Sequence, residues 1–311
     1  MVFTVIALSP VIDELEQLGT KEKFWFSDPK HPGKRNLFKY SRAGTGEHWS
    51  EKYAAELCHR LEIPHAEYDI AEHKKRMGVI SYNIIPSDDF RMVMGNEVLH
   101  SSTSGYPVPL QEGERVVRVR EHTIPRVLGC LDKKSILPPP TDYNLHELNA
   151  ADVFCGYLML DALISNQDRH HENWAIMLNN RTGEQFLCPT YDHAASLGRE
   201  MQDEERQERL TTKDRNRQIP CFVRKARSEL FRAKSDPKND KKLKPMTTLE
   251  AFQFAVEKRE LARNHWLGKL RNLTEETIIE VFAKVPEHYI SEVARKFAIE
   301  MVMENRRRLL E

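Results

Sequence analysis

The stretch Asn149 to Leu163 limits the fold more than any other part of the chain. Its apolar residues (Val153, Phe154, Tyr157, Leu158, Leu160, Leu163, with Ile164 next) surround the helical projection instead of lining one stripe. Such a helix has no face for water and must lie inside a core that other elements build. A polar loop, Ser165 to Asn173, follows it directly. Beyond the loop, Trp174 to Leu178, the turn Asn179 to Glu184 and Phe186-Leu187 predict a β-hairpin. A core helix, a polar loop and a hairpin make a rigid mount for reactive side chains.

Three oxygen-bearing residues sit on that mount. Asp168 and Asn173 lie in the loop before the hairpin, and Asp192 lies just after it, so the two ends of one ribbon are expected to bring them together. Phosphoryl transfer from a nucleotide needs such a set: one carboxylate to receive or orient the hydroxyl proton, and two oxygen ligands for magnesium. The protein contributes positioning and charge neutralisation more than covalent chemistry.

The remaining chain sets the architecture. Its 311 residues are 40% hydrophobic, which supports one large domain or two lobes around a sizeable core. Forty-seven basic and 47 acidic residues cancel, so net charge makes no case for nucleic acid. Five scattered cysteines (58, 130, 155, 188, 221) without a Cys-x-x-Cys pair suggest neither a disulfide framework nor a zinc ribbon. Val2 to Leu8 lacks the positive flank of a signal peptide, and Val153 to Ile164 is too short for a bilayer and contains Asp161. The expectation is a soluble protein of a reducing cytoplasm.

Residues 1–85 read as a small mixed lobe. Phe24 to Phe26 and Asn36 to Tyr40 predict two strands, and Trp49, Tyr53, Leu57 and Leu61 stripe a helix from about His48 to Leu61 that ends before Pro64. Gly78 to Ile85 predicts a buried strand leading to the lobe boundary at Pro86. Residues 86–311 read as mostly helical, with two or three helices between Leu249 and Leu310. The fold class is α+β: a two-lobed, protein-kinase-like fold with a small mixed N-lobe and a larger, mainly helical C-lobe.

Lys39 shares a strand face with Leu37 and precedes a helix carrying Glu47, Glu51 and Glu56. A lysine held by a helical glutamate and aimed at phosphates is how kinases orient a nucleotide, with Glu51 the first choice of partner and Glu47 the next. The turn from Ser27 to Lys34 could cover the phosphates, although its single Gly33 does not match a Gly-x-Gly-x-x-Gly loop. Ser81, Tyr82 and Asn83 are the candidate hinge whose backbone meets adenine. Beside Asp168, Arg169 and His170 either brace the loop by hydrogen bonds or act in catalysis, His170 by touching the transferring phosphate; Asp161 reads as a brace or cap. Lys213 to Lys244 holds twelve lysines and arginines against four acids, which fits either a solvated loop or a substrate-docking or activation segment.

The run Asp168-Arg-His-His-Glu-Asn173 resembles the Asp-Arg-His-x-x-Asn catalytic loop shared by phosphoinositide lipid kinases and HipA-type bacterial serine/threonine kinases. Leu163 to His170, with Tyr191-Asp192 later, is more similar to the HipA type, and Leu37 to Lys39 followed by Gly46 to Leu57 resembles its nucleotide-gripping strand and helix. The resemblance covers roughly 23–311. It implies that Asp168 is the catalytic acid, that Asn173 and Asp192 bind Mg2+, that Lys39 contacts the phosphates of ATP, and that Ser27 is an autophosphorylation site that shuts the enzyme off. It further implies a protein Ser/Thr acceptor, such as a translation factor of the aminoacyl-tRNA synthetase kind, and growth arrest. HipA proper carries an extra N-terminal subdomain that binds an antitoxin partner, for which this sequence offers no room. The other readings are a phosphoinositide-type lipid kinase, a non-catalytic nucleotide-binding adaptor, and a zinc hydrolase built from His170, His171, Cys188 and His193.

Overall fold

The computed structural model describes residues 2–9, 14–15, 22–27, 34–108, 119–145, 147–232 and 244–311. A small lobe is built on a six-stranded sheet of order β1-β5-β6-β4-β3-β2. Its strands are β1 (Ile6–Leu8), β2 (Glu14–Leu15), β3 (Lys23–Ser27), β4 (Arg35–Tyr40), β5 (Tyr68–His73) and β6 (Arg76–Ser81), and helix α1 (Glu47–Leu61) packs on it. All its pairings are antiparallel except β1 with β5.

Alternation along β4 explains its placement. Phe38 and Tyr40 are buried with Phe24, Phe26 and Ile80, so Leu37 and Lys39 turn to the opposite face. Lys39 stands opposite Val79 of β6, and Val79 packs with Tyr68 and with Ala55 of α1. The lysine therefore shares the face that α1 covers. Trp49, Tyr53, Leu57 and Leu61 of α1 are all buried, as their spacing predicts. The helix stops where Glu62 turns left-handed at φ 54°, just ahead of Ile63-Pro64.

The larger lobe carries a second sheet of order β7-β9-β10-β8, from β7 (Phe90–Met94), β8 (Ile136–Leu137), β9 (Ala175–Asn179) and β10 (Gln185–Leu187). Its helices are α2 (Gly95–Ser102), α3 (Ile124–Leu131), α4 (Ala150–Ile164), α5 (Asp203–Thr211), α6 (Ile219–Val223), α7 (Thr248–Val256), α8 (Glu260–Asn272), α9 (Glu275–Phe282) and α10 (Glu292–Leu310). Every residue of α4 is buried, enclosed by α3, α7, α8 and α10. Asn149 and Asp152 start α4 with a reciprocal capping box. At Gly156 the indole of Trp266 lies so close that a Cβ would come within 2.5 Å of Cε2, so only glycine fits.

Several expectations change. The strand expected over 78–85 ends at Ser81: the Tyr82 amide still bonds the Glu67 carbonyl (3.0 Å), its partner in register, and the Asn83 amide then leaves the ladder for the Asn36 side chain (3.3 Å). Strand β5 was not anticipated, nor was β7, whose Phe90 to Met94 pair in full with β9. Four helices, not two or three, occupy Thr248–Leu310. Part of the basic segment is ordered as α6, while 233–243, like Asp28–Gly33 of the expected phosphate-covering turn, lie outside the described residues.

Candidate active site

The loop after α4 is held from inside the core. Asp161, in the last turn but one of α4, takes two hydrogen bonds from Arg169 (Nε and Nη2, each 2.8 Å) and one from Asn166 Nδ2 (2.8 Å). Arg169 Nη1 then donates to the Asn173 carbonyl (2.6 Å), and Asn166 Oδ1 accepts from the Asp168 amide (3.3 Å). Burial works against the charge of Arg169, and Asp161 raises its pKa above the ordinary value. From behind, Asn305 of α10 donates to the Leu163 carbonyl (3.0 Å) and to Ser165 Oγ (2.8 Å), where Ser165 turns left-handed at φ 53°.

Of the two readings of Arg169, these contacts fit the brace: it has no exposed surface, and its guanidinium is held by Asp161 and the Asn173 carbonyl. His170 is buried as well: its Nδ1 accepts from the Glu172 amide (3.2 Å) and its Nε2 lies 3.9 Å from Asp168 Oδ1. Asp168 itself is half exposed.

The hairpin closes the site. Leu187 stands opposite Ile176, and the Cys188 amide reaches the Ala175 carbonyl (2.9 Å), so the two ends of the ribbon run on side by side. Tyr191 Oη donates to the Glu172 carbonyl (2.8 Å), a contact between the segment that carries Asp192 and the loop that carries Asn173. Gln167 and Leu197 extend the seam through bonds to the Ala195 and Ile164 carbonyls. Asn173 Nδ2 donates to the Asp168 carbonyl (2.6 Å), which leaves its oxygen as the acceptor or ligand atom. Asp192 is left-handed (φ 58°), a conformation that costs a non-glycine residue about 1–2 kcal/mol. Its amide is pinned by Tyr68 Oη of β5 (3.1 Å).

From the small lobe, Lys39 Nζ reaches to 3.6 Å from Asp192 Oδ1. Burial disfavours the charged amine, but Asp192, Tyr68 and Glu51 outweigh it and raise its pKa, so the lysine stays protonated. Asp192, not the expected Glu51, is its ion-pair partner. Glu51 instead accepts from the His193 amide (2.7 Å) while its Oε2 has no hydrogen-bond partner. Burial would push Glu51 up, and the His193 contact and the charge of Lys39 bring it below its usual range. Glu47 is taken by Arg42 and Arg199, and Glu56 by Lys52.

Of the other candidates, Ser81 ends β6 opposite Leu37, Tyr82 Oη donates to Asp69 (2.9 Å), and the Asn83 amide donates to Asn36 Oδ1 (3.3 Å). Two of the hinge amides are thus already engaged inside the small lobe. Ser27 and Lys34 flank the undescribed turn and are exposed. Sequence reasoning gave no role to Tyr68 or Asn305, named Tyr191 only as the neighbour of Asp192 in the resemblance, and weighed His193 only as a zinc ligand.

One carboxylate and one carboxamide oxygen fit a hard divalent cation whose shell is completed by phosphate and water oxygens. Among the described residues, no group of three or more His, Cys, Asp and Glu side chains could hold a metal ion, and Cys188 lies in an apolar cluster with Ala175 and Met177. Among the same residues no helix is long and apolar enough to cross a membrane.

No protein-family model matches this sequence, and no curated protein matches it. Solved structures do match. The proinflammatory kinase CtkA of Helicobacter pylori is similar with a TM-score of 0.71 at 15% identity, over 97% of this chain and 94% of that one. HipA of Shewanella oneidensis MR-1, in a complex with HipB and its operator DNA, is similar with a TM-score of 0.55 at 15% identity, over 97% of this chain and 65% of the HipA chain. The chain therefore has the two-lobed, kinase-like α+β fold of these proteins.

Proposed function

We propose that this chain is a HipA-like, ATP- and Mg2+-dependent kinase that transfers a γ-phosphoryl group to a serine or threonine hydroxyl of a protein. The observation that carries the reading is the Lys39–Asp192 contact between the lobes, together with the Asn173–Asp168 bond in the loop that Tyr191 ties to the Asp192 segment. Asn173 and Asp192 would hold Mg2+, which when bound supplies positive charge against the phosphate oxygens. Lys39, kept protonated, adds a second cation on the opposite wall. Asp168 accepts the proton of the acceptor hydroxyl as its oxygen forms the new bond to phosphorus and the bond to ADP breaks. Arg169 and His170 keep the acid and the amide in register, and the Tyr191–Glu172 bond keeps Asp192 beside them.

The likeness to HipA, whose structure includes HipB, supports extending the proposal to a protein inhibitor; the cytoplasmic location and the translation-factor acceptor are carried by the sequence and its resemblance alone. Labelled ATP supplied with protein extract and, separately, with phosphoinositide vesicles tests the reading. Label on protein that disappears in Asp168→Ala and Asp192→Ala is expected; label on lipid alone, or none with correctly folded protein, contradicts it.

A further inference from the structure

The segment that follows α5 is stitched against both sides of the loop bearing Asp168. Before the acid, Gln167 Oε1 accepts from the Arg227 amide (3.4 Å). Beyond Asn173, Trp174 Nε1 donates to His122 Nε2 (3.2 Å), and His122 Nδ1 in turn donates to the Glu229 carbonyl (3.1 Å). Backbone bonds hold the same stretch on its far side: Phe231 to His122, Ser228 to Met246, and Thr248 to Ala226. Residues 226–231 are therefore fixed in register with the catalytic loop and not a free solvated tether.

What this fixed stretch presents to solvent is positive. Ala226, Ser228, Glu229, Leu230 and Phe231 are buried, whereas Arg224, Lys225 and Arg227 are exposed. Arg227 Nη1 is held by the Pro245 carbonyl (2.7 Å), which fixes its guanidinium just ahead of α7. From Lys213 to Arg232 there are seven cations, all exposed, against Asp214 and the buried Glu229. The chain as a whole is neutral, with 47 charges of each sign, so this concentration is local. The Arg227 amide, bonded to Gln167, joins this stretch to the residue before the half-exposed Asp168, where residues flanking an acceptor hydroxyl must pass.

We infer that Arg224, Lys225 and Arg227 form an acceptor-docking rim that selects protein segments carrying aspartate or glutamate around the phosphorylated hydroxyl. The inference rests on the kinase reading and adds its substrate class. A protein segment is favoured over an anionic membrane because no apolar residue between Lys213 and Arg232 is exposed, and Ile219 and Val223 of α6 are turned inward against α10. Surface binding to lipid needs an apolar face to enter the headgroup region.

Fluorescence anisotropy with labelled serine peptides flanked by Asp/Glu, by Ala or by Lys tests the rim without needing turnover. The acidic peptide is expected to bind about tenfold tighter than the alanine one, less so as salt rises, since several exposed pairs act together and are screened. Arg224→Glu/Lys225→Glu/Arg227→Glu should erase or reverse the order, and Arg224→Glu/Lys225→Glu, which spares the Arg227–Pro245 bond, should weaken it if the triple variant does not fold. Equal binding of acidic and alanine peptides, or binding to phosphatidylserine vesicles without binding to the acidic peptide, overturns the inference. ATP-dependent transfer is measured in parallel. Transfer without peptide preference sinks the rim alone, and preference without transfer sinks the kinase reading while the acidic-segment site stands.

Discussion

Removing the carboxylate of Asp161 separates the two jobs proposed for the loop bearing Asp168, folding and chemistry. Asp161 and Arg169 are 2% and 0% exposed and share two 2.8 Å hydrogen bonds. In Asp161→Ala the guanidinium stays buried with the Asn173 carbonyl as its remaining acceptor among these bonds, and Asn166 Nδ2 also loses its partner. Breaking a buried pair from one side costs about 3–5 kcal/mol, because the surviving charge is stranded. For a chain of this size that lowers Tm by roughly 5–10 °C. Replacing both groups by apolar side chains of similar volume, Asp161→Leu/Arg169→Met, removes the stranded charge and should recover most of the loss. Turnover should not recover, because the Asn173 carbonyl has lost the donor that sets the loop; a shift of an ångström at such a site costs about a hundredfold. Calorimetry or urea unfolding reads the first effect and steady-state ATP turnover the second. A single variant within about 0.5 kcal/mol of wild type, or a double variant with full activity, would refute the brace.

Gly156→Ala should destabilise by about 1–3 kcal/mol despite alanine's better helix propensity, since the new Cβ meets Trp266, whose Nε1 is fixed to the Asp152 carbonyl (2.7 Å); an unchanged urea midpoint contradicts this. Burial and the neighbouring His171 hold His122 well below its ordinary pKa. The unfolded chain takes up a proton near about pH 6.5 that the folded chain refuses, so stability falls as pH drops below that value. His122→Gln should flatten that slope by up to about 1.4 kcal/mol per pH unit; parallel stability–pH curves would show that His122 titrates normally. Lys39→Ala should weaken ATP-dependent turnover by at least about tenfold, and wild-type kinetics would make it an ordinary strand lysine.

The parts legible in the sequence are those whose signal is local. Helix α4 declares itself because no polar stripe interrupts it, and α1 because every fourth residue is apolar. The loop and hairpin follow from polarity and turn chemistry over a few dozen residues. The choice among Glu47, Glu51 and Glu56 was of another kind. It depends on groups that arrive from elsewhere, Arg199 to Glu47 and the His193 amide to Glu51, whereas Lys52 takes Glu56 within α1 itself. Tyr68 to Asp192 spans 124 residues of sequence, and Asn305 to Ser165 spans 140, so no periodicity carries them. Strand β7 escaped because Phe90 to Met94 is short and only half buried, and its pairing with β9 is what makes it a strand. Arg169 was ambiguous for a physical reason: a guanidinium beside a catalytic acid serves equally well as a ligand clamp or a brace until its partner, Asp161, is seen one helical turn inside the core.

A crystal structure with a non-hydrolysable ATP analogue and Mn2+ tests the central claim most directly. The account predicts an anomalous peak held between the Asn173 carboxamide and the Asp192 carboxylate, the phosphates reaching Lys39, and Asp168 open to the acceptor side. A metal found away from those two residues, or a nucleotide bound outside the cleft between the lobes, would contradict it.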